Sequence, residues 1–179
     1  MKTISRFILF TILGWKLEGD FPKSPLKYVV VVAPHTSWVD FPIAILTRMA
    51  SGTMIQFIGK KSLFKWPFGF FFRMLGGTPV DRSKSNNFVD GVVATFNSKK
   101  EFRLALSPEG TRKKVATWKT GFYYIAKGAN VPIVMAALDF GNKKIKFSKP
   151  YDTTNSEKAD FKVFYAFFKN IKGKKTKNC

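Results

Sequence analysis

The chain has 179 residues, which suits a single domain. An apolar fraction of 45% is enough to bury a core and excludes a disordered chain. The 31 Lys and Arg outnumber the 11 Asp and Glu to give a formal net charge of +20, and the lone cysteine, Cys179, excludes a disulfide framework or a cysteine-built zinc site within one chain.

The first segment is uncharged only from Phe7 to Trp15. That is far short of the roughly 20 residues a spanning helix needs, and no small-residue cleavage site follows. Basic residues at both ends and a closing Trp fit a helix lying in the plane of a membrane interface, and a helix packed on the domain fits equally well. Residues 1–24 therefore read as an interfacial lead-in, with the domain proper at 25–179.

Tyr28-Val29-Val30-Val31-Val32-Ala33 is a short apolar, β-branched run, which predicts a strand buried on both faces. Directly after it come His35, the chain's only histidine, and Asp40. Sites in α/β sheets gather beyond the carboxyl ends of strands. A histidine there can act as a general base, and a carboxylate can set its tautomer. An i, i+5 pair points to different faces of one helix, so His35 is expected in the loop and Asp40 in the first turn of a helix over 38–51, folded back. Pro42 and Ser37 both mark a helix start there. Alone the pair is weak, since an Asp at a given offset from a His occurs by chance about once in twenty.

A strand is predicted over 53–58. The glycine-rich stretch Gly76-Gly77-Thr78-Pro79-Val80-Asp81-Arg82 would let backbone approach a ligand and offers an arginine for phosphate. Phe88, Val92, Val93 and Phe96 share a helical face, predicting a helix over 86–98. A strand over 102–107 leads into Pro108-Glu109-Gly110-Thr111-Arg112, and a helix over 118–128 is expected to stop at Gly128. Strands follow over 131–138, carrying Val131-Pro132-Ile133-Val134, and over 144–148, nearer the sheet edge. Strands alternating with helices predict one α/β domain with a central, mostly parallel or mixed sheet covered by helices. Residues 142–179 hold 11 Lys and 3 acids. Within the basic segment 156–179, Phe161, Phe164, Tyr165 and Phe168 form an amphipathic stripe, commonly a helix on the core and less commonly a membrane-docking face.

Taken in order, His35-x4-Asp40, the glycine stretch ending Asp81-Arg82, Pro108-Glu109-Gly110-Thr111-Arg112 and Val131-Pro132-Ile133-Val134 resemble the lysophosphatidate (1-acyl-sn-glycerol-3-phosphate) acyltransferase family. The stretch from Gly59 to Pro67, with Lys60, also resembles that family, and the likeness covers roughly residues 28–140. The family often has Asn where this chain has Pro34, and a bulky apolar pair where it has Pro79-Val80. The resemblance implies transfer of a fatty acyl group from acyl-CoA or acyl carrier protein to a lipid hydroxyl. His35 would be the base and Asp40 its support. Lys60, Arg82 and Arg112 would bind the acceptor's phosphate, with Glu109 positioning the acceptor or those arginines. Backbone N–H groups at Gly110 and Thr111 are candidates to hold the oxyanion. The acyl thioester is a co-substrate, and no resident cofactor or metal is implied. The expected acceptor is 1-acylglycerol-3-phosphate. Other acceptors within reach of the resemblance are an ornithine or glycine lyso-lipid and a lipid A precursor.

The charge alone also fits nucleic acid, but no nucleic-acid-binding motif is present and that reading leaves the ordered boxes unexplained. An anionic bilayer accounts for the basic charge and the 20 Phe together, since each basic residue near such a surface gains about 1 kcal/mol. The expected location is peripheral, on the cytoplasmic side of the cell membrane, held by residues 1–16 and the Lys-rich surface. The same charge suits an acidic acyl carrier protein.

Overall fold

In the computed structural model, which describes residues 1–80 and 86–175 without the side chains of residues 60, 61, 80, 86 and 87, seven strands form one sheet. In chain order they are β1 (Lys16–Glu18), β2 (Lys27–Ala33), β3 (Gln56–Lys60), β4 (Gly77–Val80), β5 (Phe102–Leu106), β6 (Ile133–Asp139) and β7 (Lys144–Phe147). Across the sheet they lie as β1-β7-β6-β2-β5-β3-β4, and every neighbouring pair is parallel except β6 with β7. The helices are α1 (Lys2–Arg6), running on into a π-helical stretch Phe7–Ile12, then α2 (Asp40–Ser51), α3 (Gly69–Met74), α4 (Asn86–Ser98), α5 (Gly121–Ala129) and α6 (Glu157–Phe168). This is the single α/β domain that the alternation predicts.

β2 shows why the apolar run was readable. Tyr28 and Val30 enter one core cluster, with Leu9, Trp15 and Ile43 from the N-terminal helix and α2. Val29 and Val31 enter the other, with Phe96, Phe122 and Phe164 from α4, α5 and α6. Both faces are covered, so alternation disappears from the sequence and only hydrophobicity and β-branching remain.

Four details differ from expectation. The strand predicted over 53–58 begins at Gln56. β4 was not anticipated, because Gly-Gly-Thr-Pro lacks strand propensity; it survives as an edge strand, where Pro79's missing N–H does no harm. α5 does not stop at Gly128 but at Asn130, in the left-handed region with φ +50°. Gly128 lies inside the helix, where a Cβ would sit 3.0 Å from Val93 Cγ2, so the glycine permits close packing of α5 on α4. Gly77 likewise serves packing, since a Cβ there would meet the Phe57 ring and the Phe72 carbonyl, each at 2.7 Å, while Gly76 turns the chain at φ +81°.

The C-terminal stripe resolves as helix on core. Phe164 is fully buried against Phe122 and Tyr151. α6 is also pinned by Asp160, a buried carboxylate that accepts from Tyr123 and Tyr151 hydroxyls at 3.1 and 2.7 Å, and from Thr154 N–H and Oγ1, each at 2.8 Å. Burial alone pushes this carboxyl up, but the donors more than offset it and hold it below the usual range. The N-terminal segment shows both faces weighed from the sequence: Leu9 and Trp15 are buried, while Ile4, Phe7 and Ile12 point outward. No helix among the described residues is long and apolar enough to cross a membrane.

Candidate active site

His35 follows β2 by two residues, and Asp40 opens α2. The aspartate folds back as expected: His35 Nδ1 lies 3.0 Å from Asp40 Oδ2. The same oxygen accepts the backbone N–H groups of Thr36 and Ser37, each at 2.8 Å. The carboxylate thus ties the loop to the helix while it orients the ring. An oxygen that already accepts two N–H groups takes a donor from the ring as well, so Nδ1 carries the proton and Nε2 is left as the acceptor. The His35 side chain is 32% exposed and that of Asp40 only 3%, which leaves the imidazole open to the surface and its partner shielded from water. Pro42 is the third residue of α2, where its absent N–H would have no intrahelical partner anyway.

The Glu-Gly-Thr-Arg box joins the site through the sheet. β5 is the parallel neighbour of β2, with Val31 level with Leu106, so the loops that follow emerge side by side. Glu109 Oε2 accepts the backbone N–H of His35 at 2.6 Å and the Ser107 hydroxyl at 3.2 Å. Burial pushes the Glu109 carboxyl above the ordinary range, against the opposing pull of these two bonds. The sequence assigns Glu109 to the acceptor or to the arginines. Its partners here are instead the base's own backbone and Ser107. No local pattern shows this contact, because 74 residues separate Glu109 from His35 and only the β2–β5 pairing closes the gap. The one available signal is that both boxes follow a predicted strand directly.

Gly110 adopts φ +65°, a conformation that favours glycine, and its N–H donates to the Ser107 carbonyl at 3.3 Å. The N–H that the sequence offers to an oxyanion is thus engaged in the turn. The Lys119 N–H closes the loop onto the Pro108 carbonyl at 2.8 Å, and Thr111 and Arg112 are exposed on it. Lys60 ends β3 and is paired with Val80; its side chain is not among those described. β3 lies two strand spacings from β2, about 10 Å. Arg82 lies outside the described residues.

Two features had no sequence signal. An open cavity of about 430 Å³ adjoins the box residues, lined by Pro34 and Glu109 together with Trp118, Tyr165, Phe168 and Lys169. A smaller apolar cavity of about 80 Å³ separates α2 from the sheet, with Phe41, Ala44 and Val32 among its walls. The Lys-rich tail also returns to the site. Its Lys172 carbonyl accepts the Phe140 N–H at 2.8 Å, and its Lys175 N–H donates to Thr36 Oγ1 at 3.2 Å.

A histidine held by a carboxylate, on the carboxyl edge of a parallel sheet and braced by Glu109 of a second box, is what the geometry shows. The family model described as Acyltransferase matches residues 18–139, more than half of the chain. The chain belongs to the acyltransferase family. Among its acyltransferase relatives is the 1-acyl-sn-glycerol-3-phosphate acyltransferase of Escherichia coli, 31% identical over 150 residues that make up 79% of this chain and 60% of that protein. The enzyme of the same name from Cocos nucifera is 29% identical over 137 residues, 73% of this chain and 44% of that one. The chain thus spans less than two thirds of the length of these relatives. The crystal structure of the 1-acyl-sn-glycerophosphate (LPA) acyltransferase PlsC from Thermotoga maritima superposes with a TM-score of 0.65 over 93% of this chain and 74% of that one. At 21% identity this likeness speaks for the acyltransferase fold.

Proposed function

We propose that the chain transfers a fatty acyl group from an acyl thioester, carried by CoA or acyl carrier protein, to the free hydroxyl of 1-acylglycerol-3-phosphate, giving phosphatidic acid. The observation that carries this reading is the His35–Asp40 contact of 3.0 Å at the carboxyl edge of β2. His35 Nε2 takes the hydroxyl proton as that oxygen attacks the thioester carbonyl. A C–O bond forms and the carbonyl π electrons move to oxygen. Collapse of the tetrahedral oxyanion breaks the C–S bond, and the leaving thiolate takes the proton back from Nε2. The acceptor's hydroxyl fills the place that a serine holds in a triad, so no acyl-enzyme forms. Asp40 stabilises the imidazolium, and Glu109 fixes the backbone from which the ring projects. Thr111 remains the candidate oxyanion donor in the second loop. Lys60, Arg82 and Arg112 are the cations assigned to the acceptor's phosphate.

The relatives' names support the acceptor, and the net charge of +20 supports both an anionic acceptor and a peripheral position on the cytoplasmic face of the cell membrane. The test is the purified chain with labelled acyl thioester and a panel of lysolipids, read by lipid mass spectrometry. Label is expected in phosphatidic acid, and His35→Ala is expected to lose about 10²–10⁴-fold in turnover while staying folded. Full activity in that variant would refute the mechanism. Label in an amino-acid lipid alone would refute the acceptor.

A further inference from the structure

Resting on the lipid-acceptor reading above, we infer that Leu63–Met74 is a segment that seats the domain on an anionic bilayer, beside the catalytic helix and in addition to any contact by the N-terminal segment. Trp66 is 93% exposed, Phe70 75% and Phe68 68%, and Leu63 and Met74 accompany them. These are large apolar groups left in water on one short stretch, a pattern that marks an interaction site. The stretch is not loosely attached. Phe72 packs on Phe64 and Phe71, each at 5.9 Å between ring centres, so the outward rings stand on an aromatic base.

That base reaches the catalytic helix. Phe41, next to Asp40, packs on Phe72 at 5.7 Å and on Phe57 at 5.1 Å. Trp38, in the loop between His35 and Asp40, is 69% exposed, and its carbonyl accepts the Phe41 N–H at 3.3 Å. Of the four tryptophans the two most exposed therefore lie here, whereas Trp15 is buried and Trp118 packs on Phe122 and Phe168. Exposed Trp beside exposed Phe is the composition of an interfacial belt.

Charge selects the occupant. Residues 41–80 contain no Asp or Glu, and five basic residues: Arg48, Lys60, Lys61, Lys65 and Arg73. Arg73 lies over the Phe64 ring at 5.7 Å, and Lys65 stands next to Trp66. Apolar rings in a stretch whose charged residues are all basic match a leaflet with acyl chains below and anionic headgroups above. Seated this way, the leaflet lies beside the helix that begins at Asp40, and the exposed Trp38 carries the apolar face into the same loop as His35.

The experiment uses the full chain and vesicles of phosphatidylglycerol or of phosphatidylcholine. Native protein should sediment with the first at low salt, and brominated acyl chains should quench its tryptophan emission. Trp66→Phe should lose most of that quenching. Trp66→Ser/Phe68→Ser/Phe70→Ser should bind vesicles at least about tenfold more weakly, since affinity follows the apolar area inserted. It should keep turnover on a short-chain lysolipid presented as monomers in water. Three results would overturn the inference: no quenching in the native chain, unchanged vesicle binding in the triple variant, or binding lost only in Ile4→Ser/Phe7→Ser/Ile12→Ser. A native dimer split by the triple variant, with vesicle binding intact, would assign the face to a second copy instead. The catalytic reading fails separately: His35→Ala should still bind vesicles, and full turnover in it would refute the chemistry without touching the docking surface.

Discussion

Replace Asp40 with Asn and the new amide has one orientation open to it. The N–H groups of Thr36 and Ser37 both point at Oδ2 from 2.8 Å, so the amide oxygen must sit there. The NH₂ then takes the place of Oδ1, which is buried with no hydrogen-bond partner among the described residues. His35 Nδ1–H still meets an oxygen at about its present 3.0 Å and keeps its tautomer. What disappears is the negative charge facing the imidazolium in the transition state. A hydrogen bond to a charged group is worth about 1.5–3 kcal/mol and a neutral one about 0.5–1.5, so the transition state loses about 1–2 kcal/mol. At 1.36 kcal/mol per tenfold, kcat should fall about five- to thirtyfold. Burying the NH₂ should also lower stability by about 1–3 kcal/mol. The assay follows release of free thiol from the acyl thioester, with a thermal melt by circular dichroism beside it. A loss of about 10⁴-fold with the fold intact, the size reached when a triad histidine takes the wrong tautomer, would refute the orientation derived from Thr36 and Ser37. Unchanged kcat would refute any supporting role for Asp40.

Two further outcomes are expected. Glu109 binds its proton more tightly in the fold than in the unfolded chain, so the stability it contributes is full below its ordinary value of 4.5 and lost as pH rises through the folded value. Glu109→Gln keeps an acceptor for the His35 N–H and should therefore melt higher than the parent at pH 7–8, with the gap closing toward pH 4, as scanning calorimetry across pH would show. Asp160 is the opposite case: its stabilisation is full above its ordinary value of 3.8 and fades as pH falls through the depressed folded value. Asp160→Asn should cost about 2–4 kcal/mol at pH 7 by denaturant titration, and much less in strong acid, because four donors lose their carboxylate.

How much of this was legible depended on the range of the forces involved. β2 and β6 were readable because burial on both faces leaves continuous apolar runs, β5 because Arg103 alone interrupts its apolar residues, and α4 because Phe88, Val92, Val93 and Phe96 keep a helical period. The His35–Asp40 pair was readable because five residues separate its members and the turn between them is local. β4 and α3 were not, since Gly-Gly-Thr-Pro and a run of Phe carry no period; each is held by tertiary contacts such as Phe57 on Gly77. The grip of Glu109 on the His35 backbone was invisible for the same reason, as was Asp160, which counts in the sequence only as one more acid in a basic tail. The Phe surplus divides between a core share, such as Phe96 and Phe164, and an outward share at Phe68 and Phe70.

The return of the tail to Thr36 has a practical side. Lys175 hydrogen-bonds that residue at 3.2 Å, and Thr36 is the immediate neighbour of His35. The backbone amide of Lys175 is therefore a reporter: an isotope label there should shift when the loop between His35 and Asp40 rearranges on addition of a thioester or lysolipid.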